Sequence, residues 1–376
     1  MAADDAKLMK HSLGKVAVTK IAEKIHQVWP EFEQQKFIDA GLDGLENLEL
    51  KARVNHLIAS LHLYLPQDYE HTCEILMQLP DIWPTNEGDD SFSIFAIWPL
   101  IDYVGEYGLN HPEKSLDVLA ALTPLFSAEF AIRPFINQHF ELTYKRLLSW
   151  CEDDNAYVRR LASEGMRPRL PWGLQLKQFV KDPQPVIKLL QRLKDDEAEY
   201  VRRSVANNLN DISKDHPDLV IETCKKWLKH SHESLKKNQL WIAKRATRGL
   251  VKQGHPGVFA VLGFSQHVDV QIGQLSFKNA VIKMGDYLEF NFELNSNIEQ
   301  YFVLDFAIHF MKANGKQARK VFKLKNLNMT QGEKIIINKK QIFKPISTRK
   351  YYPGQHRLEI LINGASYSDR IFELEM

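Results

Sequence analysis

The chain has 376 residues, of which 44% are hydrophobic and 26% are charged, and its formal net charge is +2. This composition is typical of a soluble globular protein, and the length suits two domains, or one repeat array with an appendage. No apolar run approaches the roughly 18 residues that a membrane-spanning helix needs, and the N-terminal segment lacks the pattern of a signal peptide.

Cysteine usage points to a reducing compartment. Cys73, Cys151 and Cys224 are far apart and odd in number, which argues against a disulfide framework and against a zinc site. The fourteen histidines show no spacing typical of metal ligands. We therefore expect a cytoplasmic protein that uses neither a metal nor a cofactor.

From about residue 10 to 262 the apolar residues have helical spacing. In ELKARVNHLIASLHLYL (49–65), Leu50, Val54 and Leu57 fall on one stripe. Proline and glycine separate such segments, as short connections between helices would. The stripes are expected to form the core of stacked helices. The other segments of this kind are PEKSLDVLAALTPLF, VIKLLQRL, LVIETCKKWL and LWIAKRATRGLV.

The same four-residue sequence stands at the start of two predicted helices. The string YVRR occupies residues 157–160 and again residues 200–203, an offset of 43. This offset lies within the roughly 40–47 residue period of paired-helix HEAT-type repeats. The first domain is therefore predicted to be an α-α superhelix, a HEAT-like repeat solenoid, over residues 1–263.

Each copy of this opening places cations and carboxylates on one helical face. Arg160 and Glu164 are four residues apart, and Arg203, Asn207 and Asp211 are spaced four and four. Arginines beside carboxylates, stacked by a repeat array onto one surface, favour an anionic polymer as ligand and chemistry on a cationic group within it.

From residue 264 to 376 the apolar residues alternate with polar ones. About seven short strands rich in Phe, Ile, Val and Tyr, separated by turn signals such as Asn363–Gly364, predict a small all-β immunoglobulin-like sandwich without a cysteine pair. The predicted strand segments are VDVQIGQLSF, YLEFNFEL, YFVLDFAIHFM, KVFKLKNL, KIIIN and HRLEILIN.

Charge also separates the two parts. Residues 264–376 carry sixteen basic and eleven acidic side chains, a balance of +5, which leaves −3 on the helical part. Residues 312–350 hold twelve basic residues against one acid, Glu333. Lysine is common on exposed edge strands, where its charge discourages pairing with another chain. The excess of basic residues here is larger than that role requires. A contact with a polyanion is the interpretation we favour.

Four strings carry a resemblance to a known family. They resemble the DNA alkylation repair glycosylases built of HEAT-like repeats, and SEGMRPRLPW is similar to the AlkC branch, some members of which carry a C-terminal immunoglobulin-like domain. The strings are SAEFAIRPFI (127–136), RRLASEGMRPRLPWG (159–173), YVRRSVANNLNDISKDHPD (200–218) and WIAKRATRGLVKQGHP (241–256). YYPGQHRLEILING (351–364) is similar to the end strands of the immunoglobulin-like domain.

The resemblance implies an activity. Such enzymes hydrolyse the N-glycosidic bond of cationic alkylated bases, here N3-methyladenine and N3-methylcytosine, in duplex DNA held by the helical array. They are implied to act without turning the base out of the helix, unlike most base-modifying enzymes. The implied protein is a hydrolase of base excision repair, a monomer of the bacterial cytosol and nucleoid.

The resemblance also implies the site. Its catalytic carboxylates fall on Glu164 and Asp211, a third acid on Glu129, and an aromatic contact to the sugar of the damaged nucleotide on Trp172. Because an alkylated base is already a positively charged leaving group, no general acid is needed. Carboxylates near the sugar would stabilise the developing cation and orient water.

Basic residues are predicted to bind DNA. Those at repeat-equivalent places are assigned to phosphates. Arg167 and Arg169 lie beside the proposed site, where both have the alternative role of bridging to Glu164. The repeat residues are Arg159, Arg160, Arg202, Arg203, Lys244, Arg245 and Arg248, and those of the β-domain are Lys339, Lys340, Arg349 and Lys350.

A second class of function stays open at this stage. A non-catalytic HEAT-repeat protein that binds DNA structure, or a protein scaffold, would share the predicted fold. A DNA binder has no use for three acids on a face that meets phosphates, however, and a protein scaffold would not need the basic 312–350 stretch. The acids therefore favour an enzyme.

Overall fold

The structure, a computed structural model, describes residues 9–83, 93–346 and 349–376. Within these ranges, sixteen α-helices come first and nine β-strands follow, which confirms the predicted order of a helical solenoid and a β-sandwich. No helix in these ranges is both long and apolar enough to cross a membrane. The chain forms two compact units, Met1–Ile212 and Ser213–Met376.

The first unit is a stack of short helices with 3-10 turns at Met9–Leu13, Leu45–Asn47 and Ser93–Ile97. Helices that are separated by one or two others along the chain pack on each other: Leu50–Tyr64 on Trp98–Tyr107, Tyr69–Ile82 on Pro112–Leu122, and Ala156–Gly165 on Glu199–Ile212. The helices are α1 (Lys15–Val28), α2 (Gln34–Leu42), α3 (Leu50–Tyr64), α4 (Tyr69–Ile82), α5 (Trp98–Tyr107), α6 (Pro112–Leu122), α7 (Arg133–Gln138), α8 (Phe140–Trp150), α9 (Ala156–Gly165), α10 (Lys177–Lys181), α11 (Gln184–Leu193) and α12 (Glu199–Ile212).

Local sequence explains where these helices begin. The side chain of Asn155 accepts a hydrogen bond from the Tyr157 amide at 2.9 Å, so α9 starts at the first YVRR string. The second string lies in the first turn of α12. In α3, Val54 and Leu57 of the predicted stripe are at most 1% exposed, whereas Leu50, the first residue of the helix, is half-buried.

The second unit begins with four more helices, α13 (Pro217–Lys229), α14 (Glu233–Ala246), α15 (Arg248–Gln253) and α16 (Pro256–Val261). The string LWIAKRATRGLV, expected to form one stripe, is divided between α14 and α15. The division falls at Thr247, which is fully buried and donates its hydroxyl to the Ala243 carbonyl at 2.7 Å. This local bond competes with helix continuation.

The strands of the second unit form two sheets. The strands are β1 (Val270–Ile272), β2 (Ser276–Phe277), β3 (Val281–Lys283), β4 (Tyr287–Ser296), β5 (Gln300–Met311), β6 (Gln317–Met329), β7 (Lys334–Ile342), β8 (Gly354–Ile362) and β9 (Ala365–Glu375). In one sheet, β4 pairs with β1, β2 and β7. The other has the order β3-β9-β8-β5-β6, in which the β3–β9 pair is parallel and the other pairs are antiparallel.

Apolar residues at alternate positions of the strands form the core of the sandwich. In β4, Leu288, Phe290, Phe292 and Leu294 point inward and are at most 2% exposed. They belong to one apolar cluster with residues of both sheets, including Phe306. Nine described strands replace the seven expected, because β2 and β3 are too short, and β9 too rich in charge, to stand out as alternating runs.

A close backbone approach joins the last helices to a hairpin within the second unit. Gly254 ends α15 at φ 72°, and Gly364 forms the β8–β9 turn at φ 77°. A Cβ added to Gly364 would lie 2.1 Å from the Gly254 Cα. Beside this contact, the Asn363 side-chain amide donates to the Ser265 carbonyl at 2.9 Å. Only glycine is compatible with this geometry.

Candidate active site

Helices α9 and α12 meet through small polar side chains. The hydroxyls of Ser163 and Ser204 are 2.8 Å apart, and Asn208 donates its side-chain amide to the Ser163 carbonyl at 2.8 Å. At the end of α9, a Cβ on Gly165 would approach Ile132 Cγ2 to 2.7 Å. Because these residues are small, the two helices can pack closely enough to share one set of acids.

The two predicted catalytic carboxylates are joined by one guanidinium. Arg167 donates from Nη1 to Glu164 Oε1 at 2.6 Å and from Nε to Asp211 Oδ2 at 2.8 Å. Ser204 Oγ lies 2.5 Å from the second oxygen of Glu164. Glu164, Arg167 and Asp211 are 4%, 8% and 2% exposed. Both acids are therefore fixed in position, and the bridging alternative for Arg167 is the one observed.

Glu129 joins the same cluster through Arg160. Arg160 Nη1 lies 2.8 Å from Glu129 Oε2, and Arg160 Nη2 lies 3.5 Å from Glu164 Oε1. Ser127 donates to Glu129 at 2.9 Å and accepts from Arg160 at 2.6 Å. The guanidinium of Arg160 also lies over the ring of Tyr200, 4.7 Å from its centre. We call Glu129, Glu164 and Asp211 the acid cluster.

A third arginine shapes the loop that follows α9. Arg133 is fully buried and donates to three backbone carbonyls, those of Gly165, Arg167 and Leu174. Burial, and then the nearby charge of Arg167, lower the pKa of Arg133 to about 10. Arg133 thus holds both ends of the 165–174 loop and, with it, the position of Arg167.

Trp172 lies at the exposed part of this loop. Its φ is 63°, a left-handed conformation that is rare for a bulky residue, and its carbonyl accepts a hydrogen bond from Lys51 Nζ at 3.2 Å. The Trp172 residue is 69% exposed. Backbone strain that supports an exposed aromatic ring is typical of functional sites.

Asp102 is a further acid, half-buried, in helix α5. Trp98 Nε1 donates to Asp102 Oδ2 at 2.8 Å. Burial raises the pKa of Asp102 to about 7, while the Trp98 hydrogen bond and the charge of Lys51 oppose that rise.

The acid cluster carries balanced charge. Its three carboxylates face three guanidiniums, those of Arg133, Arg160 and Arg167. Among the described residues, no group of three or more His, Cys, Asp or Glu side chains could hold a metal ion. The carboxylates are held in fixed positions and are largely buried from water. This arrangement is suited to stabilising a positive charge that develops next to them.

Two of the predicted phosphate ligands bind protein groups instead. Arg159 donates to both carboxylate oxygens of Asp196, at 2.7 and 3.1 Å. Arg202 donates to the carbonyls of Asp196 and Glu197, both at 2.7 Å. These arginines hold the loop that precedes α12, and their assignment to phosphates stays a prediction.

Arg160 lies in the acid cluster, whereas the remaining predicted repeat cations lie away from the protein core. Arg203 lies in α12 and pairs with Glu199 of the same helix at 2.5 Å. In the second unit, Arg245 lies over the Trp241 ring at 5.5 Å. Lys244, Arg245 and Arg248 are exposed, and Arg169 is partly buried in the loop after α9.

The basic residues of the β-domain lie largely on edge strands. Strands β6 and β7 each pair on one side only, and Lys339 and Lys340 belong to β7. Lys340 pairs with Glu289 at 3.1 Å. Arg349 lies 4.1 Å from the centre of the Phe310 ring and Lys350 lies 5.6 Å from that of Tyr352. Arg349 therefore has a packing role in addition to its charge.

Several contributing residues were not singled out from the sequence. Arg133 has a weak signal, a cation between apolar residues in AIRPFI, where a charge must find buried partners. Tyr200 shares the YVRR string with arginines that were singled out. Ser127, Ser204 and Lys51 have no comparable signal, because their contacts join segments that are distant in sequence.

Two families match the chain. Residues 126–244, which include the whole acid cluster, match the family described as DNA alkylation repair enzyme. Residues 271–376 match the C-terminal immunoglobulin-like domain described for the uncharacterised protein YhaZ.

Two relatives extend over nearly the whole chain. The uncharacterized protein YhaZ of Bacillus subtilis (strain 168) is 37% identical over 358 residues, which are 95% of this chain and 96% of that protein. Among solved structures, the Pseudomonas fluorescens alkylpurine DNA glycosylase AlkC, bound to DNA containing an abasic site analog, is 35% identical. That match covers 98% of this chain and 100% of the other, with a TM-score of 0.90.

Proposed function

We propose that this chain, which belongs to the AlkC branch of the HEAT-like-repeat DNA alkylation repair glycosylases, removes cationic N3-methyladenine and N3-methylcytosine from duplex DNA. It acts as a monomer in base excision repair, without turning the damaged base out of the helix. The acid cluster performs the hydrolysis, and Trp172 contacts the sugar of the damaged nucleotide.

One observation carries the proposal. Glu164 and Asp211, from two helices 43 residues apart in repeat position, are held by the single guanidinium of Arg167. Two acids buried side by side are costly to a protein, since their charges must be compensated in a medium of low polarity. A protein that only bound DNA would not benefit from these buried acids, whereas an enzyme whose reaction passes through a cationic sugar would.

The reaction follows from these groups. The bond between C1′ and the base nitrogen breaks, and its electron pair neutralises the positive charge of the leaving base. The positive charge passes to the sugar, where the carboxylates of Glu164 and Asp211 stabilise it. Water then bonds to C1′, and the proton it loses passes to a carboxylate oxygen.

Trp172 and Glu129 complete the site. The exposed Trp172 ring can lie against the sugar and add a cation–π interaction of about 0.5–2 kcal/mol. Glu129 adds a third carboxylate to the site, and the guanidinium of Arg160 joins it to Glu164. Because the leaving base carries its own charge, the site needs no acid to protonate it, and neutral bases such as uracil are not substrates.

The test is base release by the purified protein from duplex DNA that carries methylated bases. We expect single-turnover release of N3-methyladenine and N3-methylcytosine by the wild type. Glu164→Gln and Asp211→Asn keep the shape of each side chain and remove one charge, so each should slow excision by about 10²–10³-fold. Binding to the same DNA should hold or tighten, because a repulsion with phosphate is removed.

Glu199→Gln serves as a control for the loss of a carboxylate in α12. Glu199 pairs with Arg203 within the same helix, outside the acid cluster, so excision by this variant should stay near wild type. Near-normal excision by both acid variants would remove the catalytic assignment. Excision lost in parallel with binding would make both acids structural residues.

A further inference from the structure

Arg160 occupies an unusual environment. Its guanidinium lies over the face of the Tyr200 ring at 4.7 Å and faces Glu129 at 2.8 Å and Glu164 at 3.5 Å. Ser127 accepts a further hydrogen bond from it. A flat cation with delocalised charge is thus held by an aromatic face on one side and by carboxylates at its edge.

An alkylated nucleoside presents the same chemistry. Its base is a flat ring with delocalised positive charge, and the sugar takes up that charge as the bond breaks. We propose that Tyr200 and Glu129 form a cation subsite that determines specificity for charged nucleosides, and that the guanidinium of Arg160 fills it in the absence of DNA. This inference rests on the proposed glycosylase function and adds a residue to it.

The surroundings of Tyr200 support access by a ligand. Tyr200 is 38% exposed, whereas the inner arginine of the cluster, Arg167, is 8% exposed. Tyr157 packs edge-on against the Tyr200 ring, with centres 5.5 Å apart, and fixes its orientation. The side chain of Arg160 keeps 14% of its surface exposed. Arg160 therefore lies at the outer side of the acid cluster, and Arg167 lies at its inner side.

The two copies of the repeat differ at this point. Arg203 has the place in the second copy that Arg160 has in the first, yet it pairs with Glu199 four residues earlier, and its side chain is about half exposed. An arginine that only stabilised its own helix would need no more than this. Arg160 instead crosses to Glu129 on another segment and takes the ring face of Tyr200. A substrate cation that replaces it meets an assembled subsite, and the released guanidinium is free to bind phosphate.

Paired duplexes that differ only in charge isolate this subsite. The first pair carries a cationic pyrrolidine or a neutral tetrahydrofuran in place of the sugar. The second pair carries N7-methylguanine or guanine, each on a 2′-fluorinated sugar that resists cleavage. The measured quantity is the ratio of the affinities for the charged and the neutral member, in wild type, Tyr200→Leu and Tyr200→Phe.

For Tyr200→Leu, the charged-to-neutral affinity ratio should fall roughly 2- to 30-fold in at least one pair. Tyr200→Phe keeps the ring face and should keep the wild-type ratio. A fall in the pyrrolidine pair places the sugar cation in the subsite, and a fall in the methylguanine pair places the base there. An unchanged ratio in both pairs, or an equal loss in Tyr200→Phe, overturns the proposal.

Arg160→Gln tests whether Arg160 fills the subsite, without any change to Tyr200. Removal of the internal cation should raise the charged-to-neutral ratio, while any weaker binding to phosphate affects both duplexes of a pair alike. A ratio that falls or stays constant would show that Arg160 does not hold the subsite. Wild-type release of methylated bases tests the glycosylase function separately, so an active enzyme with unchanged ratios would refute this inference alone.

Discussion

Trp172 combines two features that seldom occur in one residue: a left-handed backbone and a large ring in solvent. The left-handed conformation costs roughly 1–2 kcal/mol in a residue with a Cβ. Arg133 and Lys51 provide the hydrogen bonds that maintain the loop in this form. The strain is retained because it places the ring where a ligand can reach it.

Replacing Trp172 with glycine or with alanine should separate the effect of backbone strain on stability from the effect of the ring on activity. Trp172→Gly relieves the strain and Trp172→Ala retains it, so the glycine variant should be about 1 kcal/mol more stable than the alanine variant. Both lack the ring and should excise methylated bases about 10-fold more slowly than the wild type. Urea unfolding and single-turnover release measure the two effects. Equal stability of the two variants would show that the loop relaxes without the tryptophan.

Asp102 should make stability depend on pH. Its folded-state pKa of about 7 lies above the ordinary value of 3.8, so the folded protein binds a proton that the unfolded chain has released between these values. The free energy of unfolding should therefore fall as pH rises from about 4 to about 7. Asp102→Asn keeps the acceptor for Trp98 and cannot titrate. It should stabilise the protein by about 2–4 kcal/mol at pH 8 and by much less at pH 4.5.

Denaturant unfolding at these two pH values checks the difference. Glu113→Gln is the control, because Glu113 has an exposed side chain in the neighbouring helix α6. An Asp102→Asn effect that is equal at both pH values would show that Asp102 does not titrate in this range.

Helical spacing predicted some contacts of the site and missed others. The four-residue interval of Arg160 and Glu164 does bring them to 3.5 Å. Arg203 and Asp211 share a face by the same rule, yet Asp211 pairs with Arg167 from a loop and Arg203 pairs with Glu199. Periodicity describes one helix, whereas these partners depend on which segment packs against it.

At the scale of elements, the spacing of apolar residues and the positions of turn-forming residues predicted the change from helices to strands. That change lies between Val261 and Val270. The domain boundary at residue 263 stays a prediction, since the compact units divide after Ile212. The close approach of Gly254 and Gly364 had no sequence signal beyond a glycine in each turn. Its cause is tertiary, because two backbones meet where a side chain would not fit.

Gly364→Ala should therefore be more destabilising than a left-handed glycine alone explains. Gly315 has nearly the same φ, 75° against 77°, and no other group lies within 4 Å of the place that a Cβ would take there. Gly315→Ala should cost about 1 kcal/mol, and Gly364→Ala should cost about 2–4 kcal/mol more. Thermal unfolding of the two variants measures the difference. Equal costs would mean that the hairpin turn can move away from Gly254 freely.

At the scale of the whole molecule, positive charge is unevenly distributed. Lysines line β6 and β7, the strands that end the two sheets; the exposed Lys323 and the half-buried Lys339 represent one from each. Edge protection and phosphate binding both explain this pattern. Arg349 is unsuitable for deciding between them, because its removal would also take away the packing against Phe310.

Salt dependence decides between these explanations. If the basic edge binds DNA, the double variant Lys323→Ala/Lys339→Ala should reduce the log–log salt slope of binding by roughly 0.9 for each phosphate that is no longer neutralised. Lys278→Ala/Lys283→Ala removes the same charge from other strands and loops of the domain, so the slope should stay at the wild-type value. Identical slopes for both double variants would assign the edge lysines to solvent.

The position of the acids between α9 and α12 limits how this protein can change over evolutionary time. Repeat arrays commonly gain, lose or exchange whole units, because each unit contacts only its neighbours. Here Glu164 belongs to one unit, Asp211 belongs to the next, and Arg167 joins them. A unit inserted between them would separate the proposed catalytic pair. We therefore expect an insertion at this junction to abolish catalysis, and the segment that carries Glu129 is bound to the same cluster through Arg160.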